Sequence, residues 1–150
     1  MASTYRTARK KIVDALVERI KEIDGNYPYN SNVFNNAMAG MTFLDQIQEY
    51  PKVCVVAGDE IREYQPNAFK WRFLSLDIRV YIEDQEDPQE VLALLMEDIE
   101  RVIDDNDVLT YDNTVSPNLT TTSLTLQSLS TDEGVLTPLG IGELTLECRY

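Results

Sequence analysis

The chain has 150 residues, enough for one domain with a substantial core. Apolar residues at 43% and charged residues at 26% are ordinary for a globular fold, while 13 basic against 26 acidic residues leave a net charge of −13. That balance disfavours nucleic acid as a ligand and an anionic membrane as a surface. The lack of any histidine excludes imidazole-based nucleophile systems and the zinc sites that need imidazole ligands.

From Thr4 to Ile23, Tyr5, Ala8, Ile12, Leu16, Ile20 and Ile23 recur at three- and four-residue steps, and Val13 and Val17 widen the stripe. The spacing predicts an amphipathic helix. Ser3 or Thr4 can cap its start, and Asp24-Gly25 supplies its stop. Arg6, Arg9, Lys10 and Lys11 crowd the first turns, the unfavourable end of the helix dipole for cations. They form either a solvated face or a docking patch for an acidic partner. They also occupy the place of a secretory apolar core, so folding in the cytosol is expected, with Cys54 and Cys148 reduced and buried.

Asn26 to Tyr50 is loop-rich. Val33-Phe34 is a candidate short strand, Ala37–Met41 is small and flexible, and Phe43–Ile47 fits one helical turn. A connection this long is usually functional or ordered by a neighbour. The period then changes to two. Val53–Val56 reads as a short apolar strand, Gly58-Asp59 as a turn leading into Ile61–Gln65, and Pro66-Asn67 as a second turn.

Phe69 to Ile82 is the longest strand candidate, and its alternation has a fault. Leu74, Leu76, Ile78, Val80 and Ile82 are even, whereas Phe69, Trp71 and Phe73 are odd. The buried face is therefore expected to switch near Phe73–Leu74. A bulge there would explain the switch. Alternatively, the hairpin from Ile61 to Phe73 projects beyond the sheet and buries its aromatic face against another subunit, and the two can coexist.

Asp87-Pro88-Gln89-Glu90 opens a second helix with a cap, a first-position proline and a capping-box glutamate. Leu92, Leu95, Ile99, Val102 and Ile103 form its stripe, and it ends near Asp105-Asn106. A threonine-rich strand from Leu119 to Leu129 follows a loop over 107–118. After a second loop over 130–140, Glu143–Cys148 alternates with Leu144, Leu146, Cys148 and Tyr150 inward. The expected fold is α+β: a single domain over 1–150 whose mostly antiparallel mixed sheet carries two helices on one face and a projecting hairpin.

Chemistry is sparse. The acidic runs Glu83–Asp87 and Asp104–Asp107 lack the spacing and glycine of a calcium loop. Gly140-Ile141-Gly142 lacks a third glycine and leads into a strand, so it is no nucleotide fingerprint. Glu97 or Glu100 with Asp77 could serve as acid and base, but nothing in the sequence brings them together. No catalytic residue, metal or cofactor is assigned. Between Arg101 and Arg149 eight acidic residues occur and no basic one. With Glu83–Asp87 they make one region of the surface strongly negative, a field that repels DNA.

Tyr50-Pro51-Lys52-Val53-Cys54-Val55, Gly58, Phe69-Lys70-Trp71-Arg72-Phe73, Asp77-Ile78-Arg79-Val80-Tyr81-Ile82, the acidic gap, the helix to Ile99-Glu100 and the closing strand to Arg149-Tyr150 follow a recognisable order. In that order and spacing the chain resembles the tail-terminator (tail-completion, minor tail protein U-like) proteins of long-tailed bacteriophages. Residues 26–48 carry none of the resemblance. The likeness implies a non-enzymatic virion subunit, assembled in the host cytoplasm without cofactor or membrane. It would form a ring of six copies on the head-proximal end of the tail tube. The ring would stop tube growth, contact the tail tube protein and a head or neck connector protein, and let DNA pass without specific binding. Phe69, Lys70, Trp71, Arg72 and Phe73 would lie at a subunit or tube contact. Glu83, Asp84, Glu86, Asp104 and Asp105 would form an acidic, channel-facing surface. Another phage neck or head-completion connector, and a metal-dependent enzyme built on carboxylates, are the alternatives.

Overall fold

The computed structural model describes residues 7–150, so Ser3, Thr4, Tyr5 and Arg6 of the expected first helix lie outside the described residues. Helix α1 spans Ala8–Ile20 and buries Ile12, Val13, Leu16, Val17 and Ile20. Its cap is Thr7, whose hydroxyl accepts the Lys10 N–H at 3.2 Å, not Ser3 or Thr4. The helix also stops before Ile23. Glu22 and Ile23 donate to the carbonyls three residues back, tightening the chain into a turn, and Ile23 reaches the core from there.

The connection that follows is ordered by a neighbour. Helix α2 spans Pro88–Asp105, and from its buried face Asp98 accepts the backbone N–H groups of Asn30 (2.9 Å) and Ser31 (2.7 Å) and the Asn30 side-chain amide (3.3 Å). No strand forms at Val33-Phe34, because Phe34 and Asn35 adopt φ of 51° and 59°, outside the extended region. The strand is β1, Ala37–Ala39, in the segment expected to be flexible. Its small residues fit beneath α1, where Ala37 is buried. The expected helical turn is present at Leu44–Gln46.

Strand β2, Lys52–Tyr64, runs unbroken through Gly58-Asp59, which is a bulge and not a turn. It pairs in parallel with β1 and antiparallel with β3, Lys70–Glu83. Strands β4, Thr110–Asp112, and β5, Leu119–Thr120, form a separate two-stranded ladder in the region expected to be loop. The expected strand from Leu119 to Leu129 is accordingly broken. Thr121 is buried at a corner where its hydroxyl accepts the Leu109 N–H at 2.8 Å, and β6 starts only at Ser123, running to Thr131. Strand β7, Leu139–Arg149, completes the main sheet in the order β1-β2-β3-β7-β6.

One core joins the stripes of both helices to Leu74, Leu76, Ile78, Val80 and Ile82 of β3 and Leu144, Leu146 and Cys148 of β7. The α+β architecture read from the sequence is present. Asp87 caps α2 by accepting the Glu90 N–H at 3.2 Å, while its own N–H goes to Asp84 at 2.7 Å. Gly140 and Gly142 let the core close. A Cβ at 142 would lie 2.6 Å from Met96 Sδ, and one at 140 would lie 2.9 Å from Ile82 Cδ1. Cys54 and Cys148 are free and buried on opposite faces of the sheet, opposite Arg79 and Leu74 respectively. Burial pushes the Cys148 thiol up to about 12. Among the described residues no helix is long and apolar enough to cross a membrane.

Candidate functional site

The β2–β3 hairpin extends past the rest of the sheet. Strand β7 ends at Arg149, opposite Phe73, so the pairs Arg62–Arg72, Glu63–Trp71 and Tyr64–Lys70 stand beyond it. Asn67 and Ala68 take φ of 69° and 63° at the tip, and the Gln65 N–H closes on the Phe69 carbonyl at 2.7 Å. The buried face of β3 does not switch at Phe73–Leu74. Alternation carries straight through, and the parity change lies in the partner strand, where Gly58 and Asp59 together oppose Ser75. Before the bulge Val53, Val55 and Ala57 pair with core residues of β3. After it Glu60 does so, and Ile61 is moved to the helix-free face beside Phe73.

That face of the hairpin is aromatic, with Glu63 paired opposite Trp71. Phe69 meets Trp71 edge-on at 4.8 Å, and the Arg149 guanidinium lies 4.3 Å from the Trp71 ring centre. Ile61 and Phe69 stay 67% and 51% exposed, while Trp71 and Phe73 are half-buried. Beside them Asp59, Ile61, Phe73, Ser75, Gln127 and Glu147 line a depression of about 330 Å³. The Nε of Arg149 is buried and makes no hydrogen bond.

The opposite face is a polar clamp. Arg72 stacks 4.2 Å from the Tyr150 ring centre and its Nε donates to the Tyr150 backbone carbonyl at 3.3 Å. The Tyr150 hydroxyl donates to Glu60, which also takes Arg62 at 2.9 Å and Arg9 at 3.6 Å. Burial pushes the Glu60 carboxyl up, but the hydrogen bonds from Tyr150 and Arg62 and the two cationic neighbours outweigh it and hold it below its ordinary value. Burial and the carboxylate beside it raise the Tyr150 phenol to about 12. The hairpin base is thus gripped on both sides by consecutive residues, Arg149 on the aromatic face and Tyr150 on the other. At the start of α1, Lys10 pairs with Asp14 at 2.9 Å and Lys11 with Asp112 at 2.7 Å, while Arg6 lies outside the described residues.

Of the five hairpin residues singled out in the sequence, the structure groups Phe69, Trp71 and Phe73 on one face and turns Lys70 and Arg72 to the other. The five acidic residues fall into two groups, with Glu83, Asp84 and Glu86 before α2 and Asp104 and Asp105 at its end. An 18-residue helix, about 25 Å long, separates them. Of the acidic residues between them, Glu90 was read from the sequence only as a capping glutamate, and Glu97 and Glu100 only as acid–base candidates. Glu90, Glu97 and Asp104 lie exposed along the outer face of α2 with Glu100 beside them and Arg101 among them, a helical period visible in the sequence itself. Burial and the nearby Glu97 and Asp104 raise the Glu100 carboxyl. Asp77 lies across the sheet from this helix, bonded to the Thr145 hydroxyl at 3.2 Å, so it cannot pair with Glu97 or Glu100. Among the described residues, no group of three or more metal-ligating side chains is gathered.

Residues 6–150 match the family described as Bacteriophage Tail Tube Terminator Protein. The chain belongs to that family. The tail tube terminator protein p142 of Escherichia phage T5 is 40% identical over 151 aligned residues, covering 95% of this chain and 92% of that protein. The match includes the hairpin, the Arg149-Tyr150 clamp and the loop over 26–48, for which the sequence offered no parallel. A phage tail component is the setting in which the exposed aromatic face has to be understood.

Proposed function

We propose that this chain is a non-catalytic subunit of a ring, six copies around, that seats on the head-proximal end of the tail tube. There it stops further addition of tube subunits and offers its other side to a head or neck connector protein. The observation that carries the reading is the hairpin. An aromatic face that runs from Ile61 and Phe73 at the end of the sheet to Trp71 and Phe69 beyond it is fixed at its base by two residues from opposite sides. Aromatic and arginine side chains in such a cluster are the composition of an assembly hot spot. The hairpin contacts a neighbouring subunit or the tube.

The acidic outer side of α2, with Glu83, Asp84 and Glu86 at one end and Asp104 and Asp105 at the other, flanks the channel. Its charge lets DNA slide past without adhering. Light scattering across a wide concentration range, with micrographs of the assembled fraction, tests the ring. Six-membered rings with a central hole are expected. A closed dimer at every concentration would overturn it.

A further inference from the structure

Building on the ring reading, we propose that neighbouring subunits join edge to edge. The outer edge of β6 in one copy adds an antiparallel strand to the outer edge of β1 and β2 in the next, so that the sheets run continuously around the ring.

Among the described residues both ends of the main sheet are open. Among the described residues no strand covers the outside of β6, and β1 covers β2 only over Val53–Val55. The β6 edge is also uncharged, although near its start the Leu124 N–H is taken by the Asp107 carboxylate at 3.1 Å. Residues 113–131 carry no charge in a chain that is 26% charged, and β6 itself has no proline. Edges that must stay single usually carry lysine, proline or inward charge, because a bare row of N–H and C=O groups recruits another strand.

The hydrogen-bond phase identifies the free groups. The Asp132 N–H donates inward to the Ile141 carbonyl at 3.0 Å, so by alternation the backbone groups of Leu129 and Thr131 point outward. On β2, the Val53 N–H and the Val55 carbonyl are taken by the β1 segment at 3.1 and 2.9 Å, and Ala57 is the next outward residue. The chain leaves β2 at Gly40, φ 98°, and opens a groove of about 400 Å³ along Val55–Gly58 beneath the start of α1. A cleft of about 470 Å³ runs beside Leu129–Thr131 beneath Met96 of α2. Each open edge therefore has room alongside it, under a helix.

Direction and level also agree. Along the sheet the strands alternate, with β2 and β7 in one sense and β3 and β6 in the other. A copy rotated about an axis parallel to the strands brings its β2 antiparallel to β6 of the first. The contact joins two different patches, which is the geometry that closes rings. Through the ladders, Ser128 is level with Thr145, Asp77 and Val56. The β6 bulge between Leu126 and Ser128 falls there, where β1 ends and the neighbour's edge steps back by one strand.

Amide hydrogen exchange on the full chain, resolved by residue, compares the assembled fraction with dilute monomer. Leu129, Thr131 and Ala57 should exchange at least about 100-fold more slowly in the ring. Leu129→Pro, which removes an outward N–H without breaking the β6–β7 ladder, should abolish rings, while Leu129→Ala should keep them. Rings whose β6 and β2 amides exchange as in monomer would overturn the pairing and leave the ring intact. A closed dimer protected at β6 alone would replace it with an isologous contact. Failure to assemble would remove the ring reading and the pairing together.

Discussion

Trp71→Ala separates the role of the hairpin in folding from its role in assembly. In the monomer, the substitution removes the edge contact with Phe69, worth about 0.5–1.5 kcal/mol, and the Arg149 stacking, worth about 0.5–1 kcal/mol at an exposed site. The ring is only half-buried, so a loss of roughly 2–3 kcal/mol is expected, well short of the 3–5 kcal/mol for a fully buried tryptophan. The monomer should stay folded. At an assembly contact the same truncation should cost a further 2–4 kcal/mol or so, about 30- to 800-fold in affinity. Leu76→Ala is the control. It lies on the same strand, fully buried on the other face, and should lose about 2–5 kcal/mol of stability with no specific effect on assembly. Urea unfolding of dilute protein gives the first quantity, and the concentration needed for ring formation and tube capping gives the second. If Trp71→Ala assembles and caps like the parent, the aromatic face is not a contact surface. If it unfolds the monomer outright, the tryptophan is a core residue.

Three further outcomes follow from other parts of the fold. Asp98→Ala should cost about 2–4 kcal/mol in urea unfolding and speed exchange of the Asn30 and Ser31 amides, since it strands donors that now share one buried carboxylate; a change below about 0.5 kcal/mol would refute the anchoring role. Lys11, then the Thr114 hydrogen bonds, hold the Asp112 carboxyl well below its ordinary value. Its contribution to stability is therefore complete above about pH 4 and lost as the pH falls below that, so the stability gap between parent and Asp112→Asn should narrow between pH 5 and 2. A gap that widened on acidification would contradict the sign. Gly142→Ala should destabilise by about 1–3 kcal/mol through overpacking on Met96, and by less in a Met96→Ala background, which a double-mutant cycle measures.

Elements with a clear period were legible in the sequence. The stripe of α1, the Asp87-Pro88 start of α2 and the alternation of β3 and β7 all appear where the pattern puts them. Elements decided by a distant partner were not. Ala37-Met38-Ala39 has weak strand character, and becomes β1 because small side chains suit the space under α1. Gly58-Asp59 has the composition of a turn, and only the pairing with Ser75 makes it a bulge. The parity fault at Phe73–Leu74 was visible, but its remedy sits in the other strand. Asp98 looks like one more acid on a helix, and its function depends on a loop 67 residues earlier in the chain. Tyr150 was read only as an inward residue and Arg149 only as part of the ending. Their grip on the hairpin comes from strand alternation, which sends neighbouring side chains to opposite faces just where Phe73 pairs with β7.

The central claim is termination of the tail tube. Tubes grown from purified tail tube subunits, with this protein added during growth, can be measured for length and imaged at their ends by electron microscopy. The account predicts tubes that carry one additional ring at a single end and no longer lengthen from that end. Tubes that keep growing from both ends at an unchanged rate, at saturating protein and with no ring attached, would contradict it.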